Sequence, residues 1–129
     1  MILAIDPGKI KCGLAVLDED GLVILKTILK RETIVKELKN YLKQYPITAL
    51  VIGKGSFGTK LEREIGQQNI YPNVIFIPET NSSLEARTRY WQNNQPKGFW
   101  KLIPTSLRLP PVPIDDYAAV ILAERYLKS

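Results

Sequence analysis

A chain of 129 residues, 45% hydrophobic and 24% charged, has the composition of a globular domain long enough to bury a core. It holds no histidine and one cysteine, Cys12, which excludes Ser-His catalysis, histidine-ligated zinc and an internal disulfide. The 18 Lys and Arg against 13 Asp and Glu leave a net charge of +5, a sign that suits a polyanionic partner such as nucleic acid.

Leu3 to Asp6 and Gly13 to Leu17 read as two apolar strands, and Asp18 to Gly21 (DEDG) as a hairpin turn into a third, LVILKTIL. Between about Thr33 and Tyr45, Ile34, Leu38 and Leu42 recur on one helical face, and Pro46 stops the helix. TALVIG (Thr48 to Gly53) is a continuous apolar run, which predicts a strand buried on both faces. A short polar helix is expected over Thr59 to Gln68, then a second buried strand at NVIFIP. SSLEARTRYW predicts a helix capped by Ser82 or Ser83. A proline-rich loop from Asn93 to Pro113 leads to a last helix, DDYAAVILAERYL. Hairpin-linked strands followed by alternating helices and strands define an α/β class with a mixed sheet. With no apolar run of membrane-spanning length and no signal-peptide pattern, a cytoplasmic location and no membrane partner are expected.

Acids stand where elements end. Asp6 closes the first strand, Glu79 follows the last one, and Asp115 and Asp116 open the final helix. In α/β sheets, liganding groups gather beyond the carboxyl ends of the strands. Like charges brought together there raise one another's pKa and favour a divalent cation, and an all-oxygen set prefers Mg²⁺ or Mn²⁺ to zinc. Each acid also has a plainer role. Asp6 before Pro7-Gly8 suits a turn or a partner in Lys9 or Lys11, and Asp115 and Asp116 suit a helix N-terminus.

Gly53, Gly55 and Gly58 spell G-x-G-x-x-G between a strand and a helix, the outline of a dinucleotide loop. With Lys54 and Lys60 beside it, the same loop suits a phosphate of a nucleic-acid strand. Downstream, Arg87, Arg89, Lys97, Lys101 and Arg108 interleave with Tyr90, Trp91, Phe99 and Trp100, a pattern that stacks bases and neutralises phosphates. At least one of the two tryptophans is expected to pin the proline-rich loop to the core instead. Cys12, in an apolar strand with no base nearby, is expected to be a packing residue.

The segments AIDPGKIKCGLAV, VIGKGSFG, PETNSSLEAR and PIDDYAAVILAERYL occur in the order of the four blocks of the YqgF-type proteins. These are Holliday-junction resolvase-like proteins and pre-16S rRNA nucleases related to RuvC, and the chain resembles them over nearly its whole length. The resemblance implies an α/β RNase H-like fold with a mixed five-stranded sheet flanked by helices, forming one domain over residues 1–129. It further implies a divalent-metal-dependent endonuclease using Mg²⁺ or Mn²⁺ on branched DNA or structured precursor rRNA, as a monomer or homodimer. Carried over residue by residue, Asp6, Glu79 and Asp115 become the catalytic and metal-binding acids, with Asp116 adjacent as a reserve ligand. Lys9, Lys11, Lys54, Lys60, Arg87, Arg89, Lys97 and Lys101 become the nucleic-acid contacts. Pro78 and Thr80 stand where the family has Asp and Arg, so an acid and a cation beside Glu79 are missing from the motif. The second block reads GKGSFG in place of a Gly-Leu-Pro form. A non-catalytic nucleic-acid-binding relative is the alternative, followed by a small nucleotide-binding protein built on Gly53 to Gly58.

Overall fold

β1 (Ile2–Asp6), β2 (Lys11–Leu17) and β3 (Val23–Lys30) run as an antiparallel meander on one side of a five-stranded sheet. This computed structural model describes residues 1–94, 102 and 110–129. The turn between β2 and β3 is held by Asp18, whose Oδ1 accepts from the N–H groups of Asp20 at 3.0 Å and Leu22 at 2.9 Å. Gly21 completes it at φ 91°, a value that side chains disfavour. β4 (Ala49–Gly53) pairs parallel to β1, and β5 (Val74–Ile77) parallel to β4, giving the order β3-β2-β1-β4-β5. A 3₁₀ turn (Arg31–Thr33) leads into α1 (Ile34–Gln44), and α2 (Ser56–Gln67) returns the chain from β4 to β5. α3 (Ser82–Asn93) and α4 (Asp115–Lys128) follow.

Strand alternation sorts the core into two faces. Leu3, Ile5, Cys12, Leu14, Val16, Leu50 and Ile52 pack with Ile34 and Leu38 of α1 and Leu61 and Ile65 of α2. The opposite set, Ile2, Ala4, Ala15, Leu17, Ala49 and Val51, packs with Ala119, Val120, Leu122 and Ala123 of α4. The α4 face is rich in small residues, which lets that helix lie close to the sheet. α3 packs on α4 through Ala86, Tyr90, Trp91, Tyr117, Ala118 and Ile121. Trp91 is therefore a core residue, edge-on to Tyr90 with ring centroids 5.0 Å apart, and Cys12 is fully buried. Among the described residues no helix is long and apolar enough to cross a membrane.

The sequence-based expectations are met for the order of elements and corrected in three places. β5 is not buried on both faces: it is the last strand of the sheet, and Phe76 is 37% exposed. α2 begins at Ser56, three residues before the expected Thr59. Neither Ser82 nor Ser83 caps α3. Asn81 occupies the cap position in the left-handed region (φ 60°), and Ser82 is buried in the first turn.

Candidate active site

The alternation that sorts the core also aims the acids. Asp6 continues the Ile2, Ala4 series, so it belongs to the face covered by α4. Glu79 continues Ile75 and Ile77 on β5, again on the α4 face, and Asp115 is the first residue of α4. Two glycines make the convergence possible. Gly13 is paired with Asp6 across the β1–β2 ladder, and a Cβ there would overlap the Asp115 carbonyl and come within 2.9 Å of the Asp116 nitrogen. At Gly53, the end of β4, a Cβ would overlap the Glu79 carboxylate and lie 2.8 Å from its Cγ. Backbone without side chains thus lets α4 and Glu79 approach the tip of β1.

The cluster is electrostatically incomplete. Asp6 is pushed up from 3.8 to about 8, first by burial, then by a hydrogen bond to the Glu79 side chain, then by the charges of Glu79 and Asp115. Among the described residues, Glu79 Oε1 and Asp115 Oδ2 are buried with no hydrogen-bond partner. The Lys11 ammonium stands 3.6 Å from Asp115 Oδ2, beyond hydrogen-bonding distance. Buried carboxylate oxygens without donors are costly, and a cation is what removes that cost. The donor set therefore fits a hard divalent ion. Among the described residues no group of three acids or cysteines is already drawn together as a finished cage. What stands preformed is the Asp6–Glu79 pair, with Asp115 close enough to act on Asp6 and ion-paired to Lys11.

A pH dependence follows for the metal-free chain. An acid that titrates near 8 when folded and near 3.8 when unfolded binds its proton more tightly in the folded state. Its stabilising contribution is full below the lower value and is lost as pH rises through the upper one. The melting midpoint should therefore fall between those values in EDTA, and Asp6→Asn should flatten that fall. A wild-type midpoint independent of pH over that window contradicts the arrangement.

Asp116 is engaged elsewhere. Its Oδ2 pairs with Lys26 of β3 at 3.2 Å, and its Oδ1 accepts from the Tyr117 N–H at 2.9 Å. Lys26 also lies 4.3 Å from the centre of the Tyr117 ring. The capping role weighed for Asp115 has no support: Ile114 is the N-cap residue and no side-chain capping bond forms. Gly53 and Gly55 both border Glu79, with Oε2 3.6 Å from a Cβ built at Gly55. Those glycines make room for a carboxylate, which opposes rather than cradles the phosphates of a dinucleotide.

Of the expected nucleic-acid contacts, Lys9, Lys54 and Lys60 are exposed, and Lys9 and Lys54 directly flank the turns that carry Asp6 and border Glu79. Lys11 is exposed and paired with Asp115. Arg89 is held in a two-pronged pair with Glu124, at 2.8 Å on both contacts, and Arg87 is half-buried on α3. Lys97, Lys101, Phe99, Trp100 and Arg108 lie outside the described residues.

One residue with a clear connection to the site escaped the sequence reading. Arg125, in the last turns of α4, donates to the carbonyls of Pro78 at 2.7 Å and Thr80 at 2.6 Å, on either side of Glu79. The motif lacks a cation beside Glu79, and the fold brings one from 46 positions further along the chain. A basic residue near a helix C-terminus is usually read as a partner for the helix dipole, so nothing local marked it.

No family model matches the chain. A Helicobacter pylori protein named "Putative pre-16S rRNA nuclease" is 32% identical over 93 residues, which cover 67% of this chain and 69% of that protein. Among solved structures, Thermus thermophilus RuvC in complex with a Holliday junction substrate superposes with a TM-score of 0.56 at 16% identity. The match covers 95% of this chain and 88% of that one. The second likeness bears on the fold alone, and it makes the sheet and helices described above an RNase H-like fold. With four motif blocks in order, that fold, and a relative of this identity and coverage, the chain belongs to the YqgF-type nuclease family.

Proposed function

We propose that the chain is a divalent-metal-dependent endonuclease acting on structured nucleic acid through a single domain spanning residues 1–129. One observation carries the reading: buried oxygens of Glu79 and Asp115 that accept no hydrogen bond stand beside an Asp6 whose ionisation those neighbours oppose. Asp6, Glu79 and Asp115 would hold Mg²⁺ or Mn²⁺. When bound, such an ion supplies charge stabilisation for the oxyanion that develops during phosphodiester hydrolysis. The protein's share is to place three carboxylates at one strand end, to keep them half-buried, and to present cations to the strand.

Lys9, Lys54 and Lys60 are assigned to phosphates, since all three are exposed and Lys9 and Lys54 follow the strand ends at Asp6 and Gly53. The relative named for pre-16S rRNA supports structured precursor RNA as substrate, and the RuvC likeness supports branched DNA only through the shared fold. Both substrates belong in the test. Cleavage should appear with Mg²⁺ or Mn²⁺ and disappear with EDTA, whereas binding without cleavage of either substrate would leave a non-catalytic relative. Binding should also weaken with salt. Exchanging Lys9 and Lys54 for alanine should lower the slope of log K against log salt by roughly 0.7–0.9 for each phosphate that is no longer neutralised. An unchanged slope removes these lysines from the interface.

A further inference from the structure

We propose that Arg125 is the positioning residue for Glu79, fixing the direction of that carboxylate from the far end of the helix that carries Asp115. The proposal rests on the reading of Glu79 as a metal ligand. Glu79 needs such a restraint because it lies beyond the last sheet pairing, Gly53 with Ile77. Past that point its segment, Pro78-Glu79-Thr80, is the connection to α3, where Asn81 already adopts φ 60°. Within the connection, the Glu79 carbonyl accepts from the Ser82 N–H at 2.9 Å, which fixes the side of the residue facing α3.

Arg125 supplies the remaining restraint. Nη1 reaches the Pro78 carbonyl at 2.7 Å and Nη2 the Thr80 carbonyl at 2.6 Å, so one planar guanidinium bridges the Pro78–Glu79 peptide and the Thr80–Asn81 peptide. With the Glu79 carbonyl also held by the Ser82 N–H, fixing the peptides before Glu79 and after Thr80 limits the backbone torsions of both residues, and with them the direction of the Glu79 Cβ. A third contact, Nη2 to Glu85 Oε1 at 3.1 Å, holds the guanidinium against α3. Charge-assisted bonds of this length are the stronger kind, and a rigid fork does what a single ammonium does not. The Arg125 side chain is 23% exposed, and its two carbonyl bonds lie at the protein surface. One rigid helix then carries Asp115 at its start and sets Glu79 from its last turns. Two carboxylates from distant parts of the chain thus share one support.

The test compares wild type with Arg125→Ala, Arg125→Lys and Glu85→Gln. The readouts are Mn²⁺ affinity by electron paramagnetic resonance and the backbone order of residue 79 by ¹⁵N relaxation without metal. Outer-shell supports of this sort change metal affinity by about 10–100-fold. Arg125→Ala should therefore weaken Mn²⁺ binding at least about tenfold and lower the order at residue 79 while the core strands keep theirs. Arg125→Lys keeps the charge and reaches one carbonyl; it should fall in between, and it serves if the alanine variant does not fold. Glu85→Gln keeps both carbonyl contacts and should change Mn²⁺ affinity by less than the roughly tenfold loss expected for Arg125→Ala. Wild-type affinity and order in Arg125→Ala overturn the proposal, as does Arg125→Lys matching wild type in both readouts. If wild type itself binds no Mn²⁺, the metal reading of Glu79 fails, and the order at residue 79 still decides whether Arg125 holds it.

Discussion

Exchanging Asp6 for asparagine is expected to reduce turnover by roughly 10²–10³ or more, at least the loss seen when a single preorganised group that stabilises transition-state charge is removed. The side chain keeps its shape and loses the ability to ionise and serve as an anionic ligand beside Glu79. Mn²⁺ affinity should fall in parallel. Stability of the metal-free chain at neutral pH should hold or rise, because burial and two neighbouring carboxylates oppose ionisation of Asp6. A turn-forming aspartate behaves in the opposite way, costing stability when replaced and leaving chemistry intact. Cleavage assays beside thermal melts, with and without Mg²⁺, separate the two. In wild type the metal should raise the midpoint by mass action, and in the variant that rise should shrink.

Two glycine substitutions should have different consequences for the same site. Gly13→Ala places a methyl group into the Asp115 backbone, which is not free to rotate away, so α4 must shift from the sheet. Overpacking of this sort costs about 1–3 kcal/mol or more, and here it displaces the helix that covers one whole face. Loss of activity with a marked fall in midpoint is expected. Gly53→Ala meets the Glu79 side chain instead, and that side chain has rotamers to escape into. The fold should survive with a small change in midpoint, while metal binding and turnover drop. Equal destabilisation by the two substitutions contradicts the packing described here.

Much of this arrangement was legible because sequence and sheet share a period of two. Ile2, Ala4 and Asp6 alternate with Leu3 and Ile5, so the face of Asp6 followed once β1 was recognised. The expectation that acids at element ends converge on one edge depended on parallel pairing of β1, β4 and β5, which the βαβ order implied. The four motif blocks named the same acids independently. Other features were not local and were misread or missed. Phe76 sits in as apolar a run as Leu50, and only its place at the end of the sheet leaves it exposed. Gly53 and Gly55 resemble a phosphate loop in spacing, and only the fold shows that a carboxylate fills the space they leave. Arg89 read as a free cation until Glu124, 35 positions on, came to face it across the α3–α4 contact. Arg125 belongs to the same class, since the carbonyls it binds, at Pro78 and Thr80, are separated from it in the sequence by all of α3, residues 94–114 and most of α4.

Crystals grown in Mn²⁺ and measured at the manganese absorption edge locate the ion without reference to activity. An anomalous peak bounded by the carboxylates of Asp6, Glu79 and Asp115, absent in Asp6→Asn, is the predicted result. Density for Mn²⁺ only at other acids, or none beside these three at millimolar metal, would contradict the site.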